Sequence, residues 1–213
     1  MNELDTSNFV IVSKIIPDVL LDIRYHTSFN FVGKRVDGYE EPIAILTKQA
    51  ALALKKVNDK AMYLGYRLKL FDCYRPQMAV DHFIRWAKDI DDVSTKKYFY
   101  PDVDKTKLFE LGFVAEKSSH TRGSTVDLTL FDMATQKNID MGGTFDFFGN
   151  ISWALNTEGI NETQIENRKL LRELMVDAGF IPLKEEWWHF TLENEPYPDT
   201  YFNFPVRSDV IEK

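Results

Sequence analysis

Ala50, Leu54, Val57, Ala61 and Leu64 recur at intervals of four and three, which predicts a helix with one buried face. Thr47 is placed to cap its start, and Gly65 ends it just after Tyr63. Leu171, Leu174, Met175 and Ala178 mark the inward face of another long helix, predicted over Asn161 to Ala178 and stopped by Gly179. Pro76 suits the first position of a helix running through Trp86, where its missing N–H is no loss. Between the helices the pattern changes. Arg67 to Tyr74 (RLKLFDCY) alternates as a strand does, and Thr125 to Phe131 (TVDLTLF) is a second. Phe9 to Val12, Val19 to Tyr25 and the aromatic run Trp187 to Leu192 (WWHFTL) read as further strands or extended segments. His26 to Pro42, holding Gly33 and Gly38, reads as a loop. Helices and strands mix without βαβ repetition, so the expected class is α+β, with helices packed on a mainly antiparallel sheet.

Composition bounds this picture. The chain has 213 residues, 44% of them hydrophobic and 28% charged, enough for one sizeable core. No linker, low-complexity tract or internal repeat divides it, so residues 1–213 are expected to form a single domain. With 26 basic against 33 acidic residues the net charge is −7, which argues against nucleic acid and anionic membranes as partners. No stretch approaches the ~20 apolar residues of a membrane span. Met1 to Ser13 lacks a basic region followed by an apolar run, so no signal peptide is visible. The single cysteine, Cys73, excludes an internal disulfide, and a cytoplasmic location is the expectation, with a periplasmic one the alternative if a leader has been trimmed. No heptad or exposed apolar helix points to an interface, which leaves the oligomeric state open.

Two of the four histidines sit among chemically suggestive neighbours. His120 lies in the Ser/Thr/Gly-rich run Ser118 to Thr125, and Asp127 follows seven positions later, between Val126 and Leu128. A carboxylate among apolar strand residues needs a cation or donors to offset its desolvation, and a metal would supply one. His189, in Glu185-Glu186-Trp187-Trp188-His189, would complete a His, Asp, His set. Three protein ligands and an open fourth position is the pattern of catalytic zinc. Such a site needs a proton acceptor, and Glu186, three residues before His189, is the candidate. Residues three apart on a regular strand face opposite ways, so Glu186 would have to come from a turn or bulge, whereas Glu185 has the parity of a straight strand. Spacing alone does not choose between them. Arg75, between a strand and a helix, is placed to stabilise an oxyanion. Each of these residues also has an ordinary reading: a hydrogen-bonded histidine, a solvated acid, a surface salt bridge.

Several segments, in order, resemble the zinc D-alanyl-D-alanine dipeptidases, which include the dipeptidase of vancomycin-resistance operons. They are Asn30-Phe31, Val36 to Tyr39, Tyr74-Arg75-Pro76, Ser118 to His120 with Gly123, Asp127 to Leu130, Met141-Gly142, Phe145 to Phe147, Glu186 to His189, Glu195 to Pro198 and Tyr201-Phe202. They cover about Tyr25 to Val206. The resemblance implies one zinc ion per chain, held at the sheet by His120, Asp127 and His189, with Glu186 rather than Glu185 activating the zinc-bound water. It implies Arg75 as the group polarising the scissile carbonyl, and Tyr25, Tyr39, Ser118 and Asp146 as contacts to a small dipeptide. Asp146 would pair with the substrate ammonium, since leaving that charge buried and unpaired is costly. The implied activity is hydrolysis of D-Ala-D-Ala to two D-alanines, serving either glycopeptide resistance or recovery of D-alanine from peptidoglycan. Two positions depart from the family pattern: Cys73 stands where glycine is expected, and Gly149 to Gly159 has its own sequence.

The competing enzyme reading is a metallo-D,D- or L,D-carboxypeptidase trimming peptidoglycan stem peptides, which would share the ligands but need an open cleft. A zinc-binding module that has lost catalysis would lack Glu186 or Arg75, and both are present. A purely structural domain leaves the placement of Asp127 and the Glu186-to-His189 spacing unexplained.

Overall fold

A computed structural model describes residues 5–211; residues 1–4, part of the start read above for a leader, and 212–213 lie outside it. Strand β1 (Phe9–Ile11) runs into the one-turn helix α1 (Val12–Ile15), followed by β2 (Leu20–Leu21). Strand β3 (Ile45–Thr47) pairs antiparallel with β1 and leads into α2 (Lys48–Tyr63). Then come β4 (Tyr66–Asp72), α3 (Gln77–Lys88), α4 (Lys96–Phe99), β5 (Thr125–Asp132) and β6 (Lys137–Asn138). Helix α5 (Glu162–Asp177), β7 (Phe180–Pro182), β8 (His189–Leu192) and α6 (Ser208–Ile211) complete the described chain.

The main sheet has the order β2-β4-β5-β8-β7, with β6 paired on the end of β5. Only the short β2–β4 pair is parallel. Helix α2 packs on β4 and against α5, which packs on β7. The expected class, α+β with a mainly antiparallel sheet, is therefore the one observed. Strand β5 is buried from Thr125 through Leu130, on both faces, as its central place requires. Among the described residues no helix is long and apolar enough to cross a membrane.

The long helices begin where their capping chemistry predicts. The Thr47 side chain accepts from the Ala50 amide, and Asn161 with Gln164 forms a reciprocal capping box. Four details differ from the sequence reading. Leu64 is 49% exposed because α2 ends at Tyr63, one residue before it could turn inward. Pro76 caps α3 from outside rather than opening it. Pairing over Val19 to Tyr25 stops after Leu21, and Arg24–His26 winds into a 3-10 turn that turns Tyr25 into the core. Strand β8 starts only at His189, because Trp187 donates its amide to Ser152 rather than to a sheet neighbour.

Candidate active site

Three adjacent strands bring the polar residues into one row. In the sheet register Asp127 on β5 stands opposite His189 on β8 and, across a register shift between Leu70 and Asp72, opposite Asp72 on β4. Two buried carboxylates facing each other repel. Arg75 lies between them, its Nε donating to Asp72 Oδ2 at 2.9 Å and its Nη2 3.7 Å from Asp127 Oδ2. The same guanidinium sits over the rings of Tyr25 and Phe83, at 5.0 and 5.2 Å.

His120 enters from the 3-10 turn Ser119–Arg122, which Ser118 caps by accepting from the His120 amide and Gly123 closes with φ +83°. Its Nδ1 lies 2.7 Å from the Cys73 carbonyl, an acceptor only, so the proton sits on Nδ1 and the Nε2 lone pair faces inward. That Nε2 is 3.1 Å from Asp127 Oδ2 and 3.3 Å from His189 Nδ1. His189 Nε2 is 3.2 Å from Ser119 Oγ, so its Nδ1 also points to the centre, 3.1 Å from Asp127 Oδ1. That contact is within ion-pair range but misaligned for a hydrogen bond, and buried Asp127 Oδ1 has no hydrogen-bond partner among the described residues.

The donor set fits a metal ion. Tetrahedral zinc with ligand bonds of ~2.0–2.1 Å has ligand-to-ligand edges of roughly 3.3–3.4 Å, close to the separations seen. One carboxylate and two imidazoles, with their outer nitrogens bonded to Cys73 and Ser119, are suited to a divalent cation. The electrostatics agree. Burial alone would push the Asp127 carboxyl up, yet positive charge on His120 and His189, when they are protonated, holds it well below the usual carboxylate range. Burial would lower His189, but Asp127 and Glu186 raise it to about 9. The carboxylates thus favour positive charge at the centre; a proton on His189 supplies it here and must leave before His189 Nδ1 can hold a metal ion.

Glu186 comes from a turn. The His189 amide reaches back to the Glu186 carbonyl at 3.4 Å, and the Glu186 carboxylate lies 3.3 Å from His189 Nδ1. The buried Trp187 and Trp188 hold this turn from below, with Trp188 against Phe145 at 5.4 Å. Glu185 is exposed and does not line the cavity.

The triad, Arg75, Ser118 and Glu186 line one cavity of about 230 Å³ with Tyr25 and Asp146. Ser118 Oγ is 3.5 Å from Arg75 Nη1. Tyr25 donates to Asp146 Oδ2 at 2.7 Å. Burial first, and then the Asp127 charge, push the Asp146 carboxyl well above its ordinary value. A bound cation would relieve that strain on ionisation.

Tyr39, expected at the substrate, does not line the cavity; its hydroxyl donates to Asp72 Oδ1 at 2.6 Å. Asp72 itself escaped the sequence reading. Fully buried, it joins Tyr39 and Arg75 and lies 3.6 Å from His120 Nδ1. Arg67 and Lys69 earlier in the same strand make its acidic end unremarkable in the sequence. Cys73 packs its thiol in the core and offers only its carbonyl to the site. Residues 149–159 do not line the cavity, whereas residues 112–115, for which the sequence carried no signal, do.

Comparison with known proteins adds an independent observation. The model of the M15 peptidases described as D-ala-D-ala dipeptidase matches residues 5–207. The chain belongs to this dipeptidase family. It is 45% identical to a D-alanyl-D-alanine dipeptidase of Enterococcus faecalis over 200 residues, 94% of this chain and 98% of that protein. It is 41% identical to one of Streptomyces coelicolor over 94% of this chain and 99% of the relative. A solved Zn(II) complex of the vancomycin-resistance D,D-pentapeptidase VanY is similar at 17% identity and TM-score 0.42, covering 75% of this chain and 78% of that one.

Proposed function

We propose that this family member hydrolyses D-Ala-D-Ala to two D-alanines, acting as one catalytic domain with one zinc ion held by His120, Asp127 and His189. The observation that carries the reading is one cavity holding the inward-facing donor triad beside both Glu186 and Asp146. When bound, zinc would polarise the scissile carbonyl and make water a nucleophile near neutral pH. Glu186, 3.3 Å from His189 Nδ1, takes the proton of the attacking water and returns it to the leaving amine. Arg75, fixed by Asp72, faces the charge developing on the carbonyl oxygen. Tyr39 acts one step further out, holding Asp72. Asp146 with Tyr25 receives the substrate ammonium, and Ser118 a carbonyl or carboxylate oxygen. Requiring a free ammonium next to the scissile bond excludes peptides extended at the N-terminus, such as the stem peptides a carboxypeptidase trims. The lone buried thiol of Cys73 suits a reducing cytoplasm.

The test is incubation of metal-analysed protein with D-Ala-D-Ala, L-Ala-L-Ala and a tripeptide ending in D-Ala-D-Ala, with and without a chelator. Alanine release from D-Ala-D-Ala alone, lost with chelator and restored by zinc, is expected. Preference for the tripeptide would replace this reading with a carboxypeptidase, and silence on all three would remove it.

A further inference from the structure

Asp146 sits in the left-handed region at φ +61°, on an irregular segment between β6 and α5. A residue in that conformation keeps its aim only if its surroundings hold it. Much of what holds the segment comes from α5. Arg168 is 4% exposed, and its guanidinium donates from Nε to the Met141 carbonyl at 2.6 Å and from Nη2 to the Ile151 carbonyl at 2.8 Å. A third bond runs from Nη1 to the Trp153 carbonyl at 3.0 Å. Met141 lies five residues before Asp146 and Ile151 five after, so one planar group ties both ends of the loop that presents the carboxylate.

The chemistry of this contact is unusual for a buried arginine. Among the described residues Arg168 has no carboxylate within 4.0 Å; its hydrogen-bond partners are backbone carbonyls, and its guanidinium lies 5.9 Å from the centre of the Trp187 ring. Burial lowers its pKa to about 10, with only a longer-range opposing influence from Asp140. A cation desolvated this far is retained where its geometry is needed. Only a rigid fork reaches three separated carbonyls at once; a lysine ammonium is a single point on a flexible stem. The clamp reaches the opposite wall of the site too, because Ser152, inside the tied segment, accepts the Trp187 amide at 2.8 Å next to Glu186.

We propose that Arg168 is a positioning residue for substrate recognition: by tying Met141 to Ile151 and Trp153 it fixes the loop on which Asp146 meets the substrate ammonium. This rests on the dipeptidase reading for its kinetic consequence, but the loop ordering is measurable without turnover. Arg168→Lys keeps the charge and loses the fork. For D-Ala-D-Ala it raises KM about tenfold and leaves kcat within about threefold, the pattern of lost ground-state binding. Backbone hydrogen exchange over residues 144–148 accelerates about tenfold, while α2 and β5 exchange as in the wild type. Arg168→Ala vacates a group that also lines a neighbouring pocket of about 290 Å³, so guanidinium chloride at millimolar concentration restores KM and methylammonium chloride does not. In an Asp146→Asn background Arg168→Lys adds little further change to KM.

Unchanged exchange at 144–148 in Arg168→Lys would overturn the clamp whatever the kinetics show. A fall in kcat with KM constant, or equal acceleration of exchange in α2 and β5, would reduce Arg168 to general stability. If wild-type protein leaves D-Ala-D-Ala intact, the functional reading fails, while the exchange measurement still decides the clamp. Should Arg168→Ala not fold, Arg168→Lys carries both readouts.

Discussion

Gly123→Ala probes the turn that carries His120. Gly123 closes that turn at φ +83°, donates its amide to the His120 carbonyl at 3.0 Å and accepts from the Thr47 amide at 2.8 Å. A methyl group placed there would lie 2.3 Å from Phe9 Cε1, 2.8 Å from Phe9 Cζ and 3.3 Å from Thr47 Cγ2. Phe9 cannot swing away freely, since its ring is wedged among Tyr74, Phe202 and Phe204 at 5.7, 4.9 and 5.0 Å. The left-handed backbone costs an L-residue about 1–2 kcal/mol, and overpacking a tight core adds about 1–3 kcal/mol. The sum is about 2–5 kcal/mol, a large share of an ordinary stability of about 5–15 kcal/mol. Urea unfolding of metal-free protein should show a midpoint shift with an unchanged slope. If the turn shifts instead to make room, zinc affinity falls, because His120 is three residues away. Adding Phe9→Ala removes the clash but not the backbone strain, so the double-mutant cycle should show a coupling of at least about 1 kcal/mol. Additive effects, or a single mutant within about 0.5 kcal/mol of wild type, would refute this account of the turn.

Other outcomes follow from the site. Glu186→Gln should keep zinc, by metal analysis, and lose about 10²–10⁴-fold in kcat, since an amide takes no proton; near-normal turnover would remove Glu186 from the mechanism. His120→Ala should lose metal, and unchanged zinc content would count against the triad. Tyr39→Phe leaves buried Asp72 Oδ1 without its donor and should destabilise by about 1–3 kcal/mol, read by urea unfolding. Asp146→Asn should raise KM for D-Ala-D-Ala yet raise the metal-free unfolding temperature at pH 8. Because burial holds the Asp146 pKa above its unfolded value, the folded chain binds more protons than the unfolded chain above about pH 4, so wild-type stability falls as pH rises through that window. The advantage of Asn should vanish toward pH 4, and a pH-independent difference would contradict the sign.

Local chemistry made much of this protein legible in advance. Thr47 and Asn161 start helices because their side chains satisfy amides within the next turn, and no distant residue is needed for that. Alternation marked β4 and β5, and Asp127 stood out because a carboxylate is foreign to an apolar strand. The motifs named the family, and through it His120, Asp127, His189, Arg75 and Asp146 as candidates. Tertiary structure decided the rest. Glu186 faces the site and Glu185 does not, because the Trp187 amide binds Ser152 and holds a turn ahead of β8, resetting the parity a straight strand would impose. Tyr39 serves Asp72 rather than the cavity, and Asp72 became visible only through the partners it collects from a loop, a strand end and a 3-10 turn. Arg168 looked like any helical arginine until the loop carrying Asp146 was seen folded over it. Periodicity states which side of an element is buried; which elements then meet is settled by the packing of the whole chain, and these assignments depend on that meeting.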